Sequence, residues 1–249
     1  MRFAPISDRL AGLGAAKWAV HNEGLRRSSL GQQVIMLSIG EPDLPPPAKV
    51  IDKAISSMRA GRTKYAAGQG EPEALKAIAR HLSKRSGNVV TPEEVLYTAG
   101  TQNGLCTALL TLVQTGDEVL VPDPYYATYE GLVAASGATF VPVATRPEDN
   151  FHVTAQTIKK AITKRTKVLL LNTPSNPTGA VLTEKEIDEI GAVCERHNLW
   201  IICDEVYADM TFDVPFCSPF DRPHLRHRTL AVSSISKSHA LPGFRAGWV

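Results

Sequence analysis

Seven short apolar runs constrain this chain more than any other feature: "EVLYTAG", "EVLVPD", "ATFVPV", "KVLLLN", "LWIICDE", "TLAVSS" and "RAGWV". Each is too short for a helix of useful length and fits a strand buried on both faces. Helical segments separate most of them. The clearest is "TEKEIDEIGAVCERHN", where Thr183 and Glu186 form a capping box and Ile187, Ile190, Val193 and Cys194 fall on one stripe. Buried strands alternating with amphipathic helices predict a three-layer α/β sandwich whose sheet is mainly parallel. In such sheets ligands bind beyond the carboxyl ends of the strands, which is where chemistry should be sought.

The part before the first run reads differently. "GAAKWAVHNEGLRRSS" has helical character, "VIMLSIG" reads as a short apolar strand, and the prolines at 42, 45, 46 and 47 end regular structure. Residues 1–46 are therefore expected to be an N-terminal arm and small-domain segment, and 47–249 the major domain. "AKVIDKAISSMRAG" and "EPEALKAIARHLSKRSG" read as helices stopped by Gly61 and Gly87. A formal charge of +2, from 27 basic and 25 acidic residues, gives no field that favours nucleic acid or a membrane surface. The apolar runs are too short to span a bilayer, and "MRFAPISDRL" lacks the apolar core of a secretory signal. The four cysteines form neither a C-x-x-C pair nor a zinc-type cluster with histidine. A cytoplasmic protein with free thiols and no metal is the expectation.

Polar residues gather at the predicted strand ends. Thr101 and Gln102 open a helix after a small-residue turn, where free N–H groups suit a phosphate. Tyr125 and Tyr126 could stack on a flat ligand or simply edge the core. Two prolines and a glycine around Asn176 make a rigid loop, or a plain turn. Asp204 stands at the mouth of a buried run, where a carboxylate needs a partner or a capping role, and Tyr207 follows it. Ser234, Ser236 and Lys237 follow "TLAVSS", and Arg245 opens the last run. Serine hydroxyls and a guanidinium can share a phosphate. Each feature has an ordinary reading alone. Together they supply what one ligand class requires, a flat phosphorylated pyridine aldehyde.

These residues carry a resemblance. "SISK" with Arg245 eight residues after Lys237, "NPTG", "DEVY" and "GEPD" resemble the class I/II aminotransferases, the aspartate aminotransferase-like group of fold type I pyridoxal phosphate enzymes. The likeness runs from about residue 30 to the end, and "SKSHALPGFRAGW" is similar to an arginine–pyruvate transaminase-like branch. The resemblance implies pyridoxal 5'-phosphate as cofactor and transfer of an amino group from an amino acid to a 2-oxo acid. It implies Lys237 as the covalent anchor and Asp204 as the acid facing the pyridine nitrogen. Tyr207 and Asn176 would contact the phenolic oxygen, and Tyr126 would stack on the ring. Gly100, Thr101, Gln102, Ser234, Ser236 and Arg245 would form the phosphate cup. Tyr65 would reach a neighbouring protomer's phosphate in a homodimer. Gly40, with Asn176, would meet the substrate. Family members continue past the position of Val249 into a small domain that supplies an arginine for the substrate carboxylate. The chain is thus expected to lack that domain, as a fragment or a truncated product, and to transfer amino groups poorly on its own. A lyase of the same fold and a non-catalytic ligand-sensing relative are the alternatives. No Walker A lysine motif and no G-x-S-x-G elbow offers a rival.

Overall fold

All seven predicted runs are strands in one sheet of the computed structural model, which describes residues 3–13 and 16–249. They are β1 (Tyr97–Thr98), β2 (Glu118–Asp123), β3 (Thr139–Ala144), β4 (Thr166–Asn172), β5 (Trp200–Asp204), β6 (Thr229–Ser234) and β7 (Gly247–Trp248), in the order β1-β7-β6-β5-β4-β2-β3. The five strands from β6 to β3 pair in parallel, and β7 runs antiparallel to both β6 and β1.

Eight α-helices accompany the sheet among the described residues: α1 (Pro5–Leu10), α2 (Ala19–Ser29), α3 (Ala48–Arg59), α4 (Pro72–Ser86), α5 (Thr101–Leu112), α6 (Tyr129–Ser136), α7 (Ala155–Ala161) and α8 (Glu184–Arg196). Alternation along each strand sorts the core into two layers. Leu169, Leu171, Ile201 and Cys203 pack with α7 and α8, while Val168, Leu170 and Ile202 pack with α5 and α6. The stripe foreseen on α8 is buried, and its capping box is formed. A third cluster sets Leu75, Ala79 and Leu82 of α4 against Val95 and Trp248.

One expectation fails. Residues 34–40 form no strand. A strand needs neighbours for its N–H and C=O groups, and no ladder partner pairs with this stretch among the described residues. Ile35 and Leu37 are consequently 88% and 90% exposed. Gly14 and Ala15, the start of the predicted helical stretch before Ser29, lie outside the described residues.

The antiparallel strand β7 brings two glycines together. A Cβ on Gly247 would stand 2.7 Å from the carbonyl carbon of Gly100 and 2.8 Å from Ser233 O. These are backbone atoms that cannot swing aside. Gly131, within α6, has open space around its Cβ direction. Gly247→Ala should therefore cost about 1–3 kcal/mol in urea unfolding. Gly131→Ala should be neutral or stabilising by up to about 1 kcal/mol.

Candidate active site

The ends of β4, β5 and β6 and the start of α5 enclose a cavity of about 190 Å³. Asp204 lies at its base. It follows Ile202 by two residues and so shares the α5/α6 face, where its side chain is 4% exposed. The Tyr129 hydroxyl donates to Asp204 Oδ2 at 2.7 Å, and the Val206 N–H donates to Oδ1 at 3.2 Å. No ion pair reaches this carboxylate among the described residues. Burial pushes its pKa up to about 6, against the pull of the Tyr129 and Val206 hydrogen bonds. Burial, helped by the Asp204 charge, also raises the Tyr129 phenol well above its usual value.

One wall is amide and phenol. Asn172, opposite Asp204 in the β4–β5 register, donates Nδ2–H to Asp204 O at 3.0 Å and accepts the Asn176 N–H at 2.7 Å. That contact anchors the loop after β4, and Asn176 Nδ2 then donates to the Tyr207 hydroxyl at 3.2 Å. The other wall is aromatic. Tyr126 lines the cavity and meets Tyr129 edge-on at 5.7 Å between ring centroids.

The far end is rich in donors. Gly100 caps α5 at φ +82° with no side-chain capping bond, so its amide-rich first turn is open to a ligand. The Thr101 hydroxyl donates to Ser234 Oγ at 2.9 Å, and Ser234 Oγ accepts the Ser236 N–H at 3.3 Å. Gln102 Oε1 accepts from the Thr128 hydroxyl. Arg245 packs on Gly100, where a Cβ would collide with its guanidinium, and donates to Pro242 O at 2.9 Å and Ala99 O at 3.1 Å. Lys237 stands at the mouth, with Nζ donating to Gly40 O at 2.6 Å.

The residues singled out in the sequence are thus largely gathered in one place. Thr101, Gln102, Tyr126, Asn176, Asp204, Tyr207, Ser234, Ser236, Lys237 and Arg245 all line the cavity. Gly100 and Gly40 touch it through Arg245 and Lys237. Tyr65 does not join them and is fully exposed. Two residues escaped the sequence reading. Tyr129 is the last aromatic of "YYATY", one helical turn beyond Tyr126, and Asn172 is the polar end of "KVLLLN". A polar residue closing an apolar strand was the available signal for Asn172. For Tyr129 it was the three-residue spacing from Tyr126.

Residues 32–249 match the family described as aminotransferase class I and II. The chain belongs to that family. It is 41% identical over 249 residues to arginine–pyruvate transaminase AruH of Pseudomonas aeruginosa, covering all of this chain and 63% of that protein. It is 34% identical over 246 residues to an aspartate aminotransferase of Geobacillus stearothermophilus, covering 98% of this chain and 63% of the relative. The structure of Thermus thermophilus aspartate aminotransferase with maleate superimposes with a TM-score of 0.93 at 32% identity, over 100% of this chain and 64% of that one. The chain therefore spans about 63% of the length of these curated relatives.

Class I and II aminotransferases use pyridoxal phosphate, and the cavity suits it. A buried acid without an ion-pair partner among the described residues complements a protonated ring nitrogen. Hydroxyls, a helix start and a guanidinium complement a phosphate. The lysine at the mouth can supply a covalent link.

The raised Asp204 pKa has a signed consequence for the cofactor-free protein. The folded state holds this proton more tightly than the unfolded chain does. Its stabilising contribution is complete below the unfolded value near 3.8 and is lost as pH climbs through about 6. The loss amounts to about 3 kcal/mol. Relative to wild type, Asp204→Asn should gain about that much between about pH 4 and about pH 7 in urea unfolding. A pH-independent difference would contradict the burial argument.

Proposed function

We propose that this protein is the cofactor-binding part of a pyridoxal-phosphate-dependent aminotransferase, moving an amino group from an amino acid to a 2-oxo acid. The observation that carries the reading is the buried Asp204 carboxylate, free of any ion pair among the described residues, in the same cavity as Lys237. Residues 1–46 are taken as an arm and small-domain segment, and 47–249 as the major domain. Pyridoxal phosphate, when bound, supplies an aldehyde carbon that takes the amino group and a ring that accepts the electron pair left on the substrate's α-carbon.

Asp204 would hold the ring nitrogen protonated. Opposite charges about 4 Å apart, at an effective dielectric near 20, attract by roughly 4 kcal/mol. That exceeds the net penalty of about 3 kcal/mol left on the charged acid once its hydrogen bonds have offset part of the cost of burial. Tyr126 would stack on the ring, and Asn176 and Tyr207 would donate to its phenolic oxygen. Gly100, Thr101, Gln102, Ser234, Ser236 and Arg245 would hold the phosphate. Lys237 Nζ would hold the cofactor covalently and would move the proton at the substrate's Cα. Gly40 borders the substrate's place beside Lys237. The exposed Tyr65 serves a second copy of the chain in a cytoplasmic homodimer. The likeness to an arginine–pyruvate transaminase makes arginine and pyruvate the first pair to assay.

Amino transfer should be measured with the chain alone and with the chain completed to the length of its relatives. The second form should produce a 2-oxo acid only when an acceptor is supplied, and the first should show little turnover. A bidentate arginine for the substrate carboxylate both binds and orients, and the resemblance places that arginine downstream. In the completed form Asp204→Asn should lower turnover by orders of magnitude, and Asp204→Glu should be milder. Near-wild-type turnover by Asp204→Asn would refute the role. Oxo acid and ammonia formed without an acceptor would indicate a lyase.

A further inference from the structure

Asp204 is followed at once by a second buried acid. Glu205 is 1% exposed, and its carboxylate points away from the cavity, to partners that Asp204 does not share. It accepts Arg85 Nη1–H at 2.8 Å and the Ser218 hydroxyl. Its N–H donates to Val232 O at 2.8 Å, and its C=O accepts the Ser233 hydroxyl at 3.2 Å. Arg85, in the last turn of α4, turns the other edge of its fork to Asp221, through Nε at 3.1 Å and Nη2 at 3.0 Å. Side chain and backbone of Glu205 are thus fastened at four points to β6, α4 and the segment around Ser218.

Such a cluster is a poor way to stabilise a fold. Desolvating two acids and a guanidinium costs several kcal/mol per ion, and apolar replacements often do as well. Its position suggests another use. It ties down the residue next to the acid at the base of the cavity, where a small rotation of the chain would turn Asp204 away.

We infer that Glu205, gripped by Arg85 and Ser218 behind the sheet, is a positioning residue for Asp204: its four fastenings fix the aim of the Asp204 carboxylate into the cavity and hold a second buried carboxylate directly behind it. The inference rests on the reading of Asp204 as the acid that faces the cofactor. Burial raises the Glu205 pKa against the pull of Arg85, and the Glu205 charge is among the influences that raise Asp204. On the cavity side Asp204 faces Tyr126 and Tyr129, and Tyr207, Lys237 and Arg245 line the same space. On the other side Glu205 faces Arg85, Asp221 and the Cys203 thiol.

The test is carboxyl carbon NMR on the cofactor-free protein, with Asp204 identified by its loss in Asp204→Asn. Glu205→Gln keeps the shape and removes the charge while leaving Arg85 in place. The Asp204 midpoint should fall by about one pH unit, a tenfold change in its ionisation constant. Arg85→Met removes the cation instead. With the Glu205 charge uncompensated, the last proton held by the two neighbouring acids should leave at a pH higher by about one unit. Arg85→Lys should restore most of the difference. General loosening would carry Asp204 towards its ordinary value in both variants and could not produce opposite shifts. An unmoved midpoint in both variants, or movement in one direction, overturns the inference. If Glu205→Gln does not fold, the comparison of Arg85→Met with Arg85→Lys decides it. Because no cofactor is present, the outcome is separate from whether Asp204 faces a pyridine nitrogen.

Discussion

The arrangement depends on one burdened group, a carboxylate buried at the end of a central strand with two hydrogen-bond donors and, among the described residues, no ion-pair partner. Burial makes its charge costly, and the donors from Tyr129 and Val206 offset only part of that cost. Such a group is worth keeping where an arriving ligand brings the missing positive charge. The sheet makes the placement possible. Parallel strands β4, β5 and β6 end side by side, so Asn172, Asp204 and Ser234 emerge at one edge. Period-two alternation then turns Asp204 to the α5/α6 side, where Tyr129 waits.

The opposite pole of the cavity rests on close backbone approach. Gly247 and Gly100 pack where side chains would not fit, and Arg245 covers Gly100. This brings the start of α5, the Ser234 and Ser236 hydroxyls and a guanidinium within one small space. Acid and donor cluster are thus built on different elements and held at fixed separation by the same sheet. A ligand with a cationic ring at one end and an anion at the other matches both poles.

Much of this was legible from residue order because it depends on local rules. Short apolar runs mark strands, Thr183 and Glu186 mark the start of α8, and polar residues at the ends of apolar runs mark the cavity. The unread parts depend on contacts between distant segments. Arg85 looks like a surface residue at the end of a charged helix, yet it meets Glu205 and Asp221 more than a hundred residues later. Tyr129 looks like one of three neighbouring aromatics until the fold brings Asp204 to its hydroxyl. The misread stretch, 34–40, has the composition of a strand but no partner among the described residues, and composition alone cannot supply one.

The most direct measurement is reductive trapping. The chain is loaded with pyridoxal phosphate, reduced with borohydride, digested and mapped by mass spectrometry. If the cavity holds the cofactor between Asp204 and the hydroxyl cluster, the label lies on Lys237, whose Nζ stands at the cavity mouth beside Gly40. Lys237→Ala should then leave the digest unlabelled while non-covalent cofactor binding persists. Label on a different lysine, or equal labelling of many, would contradict the account.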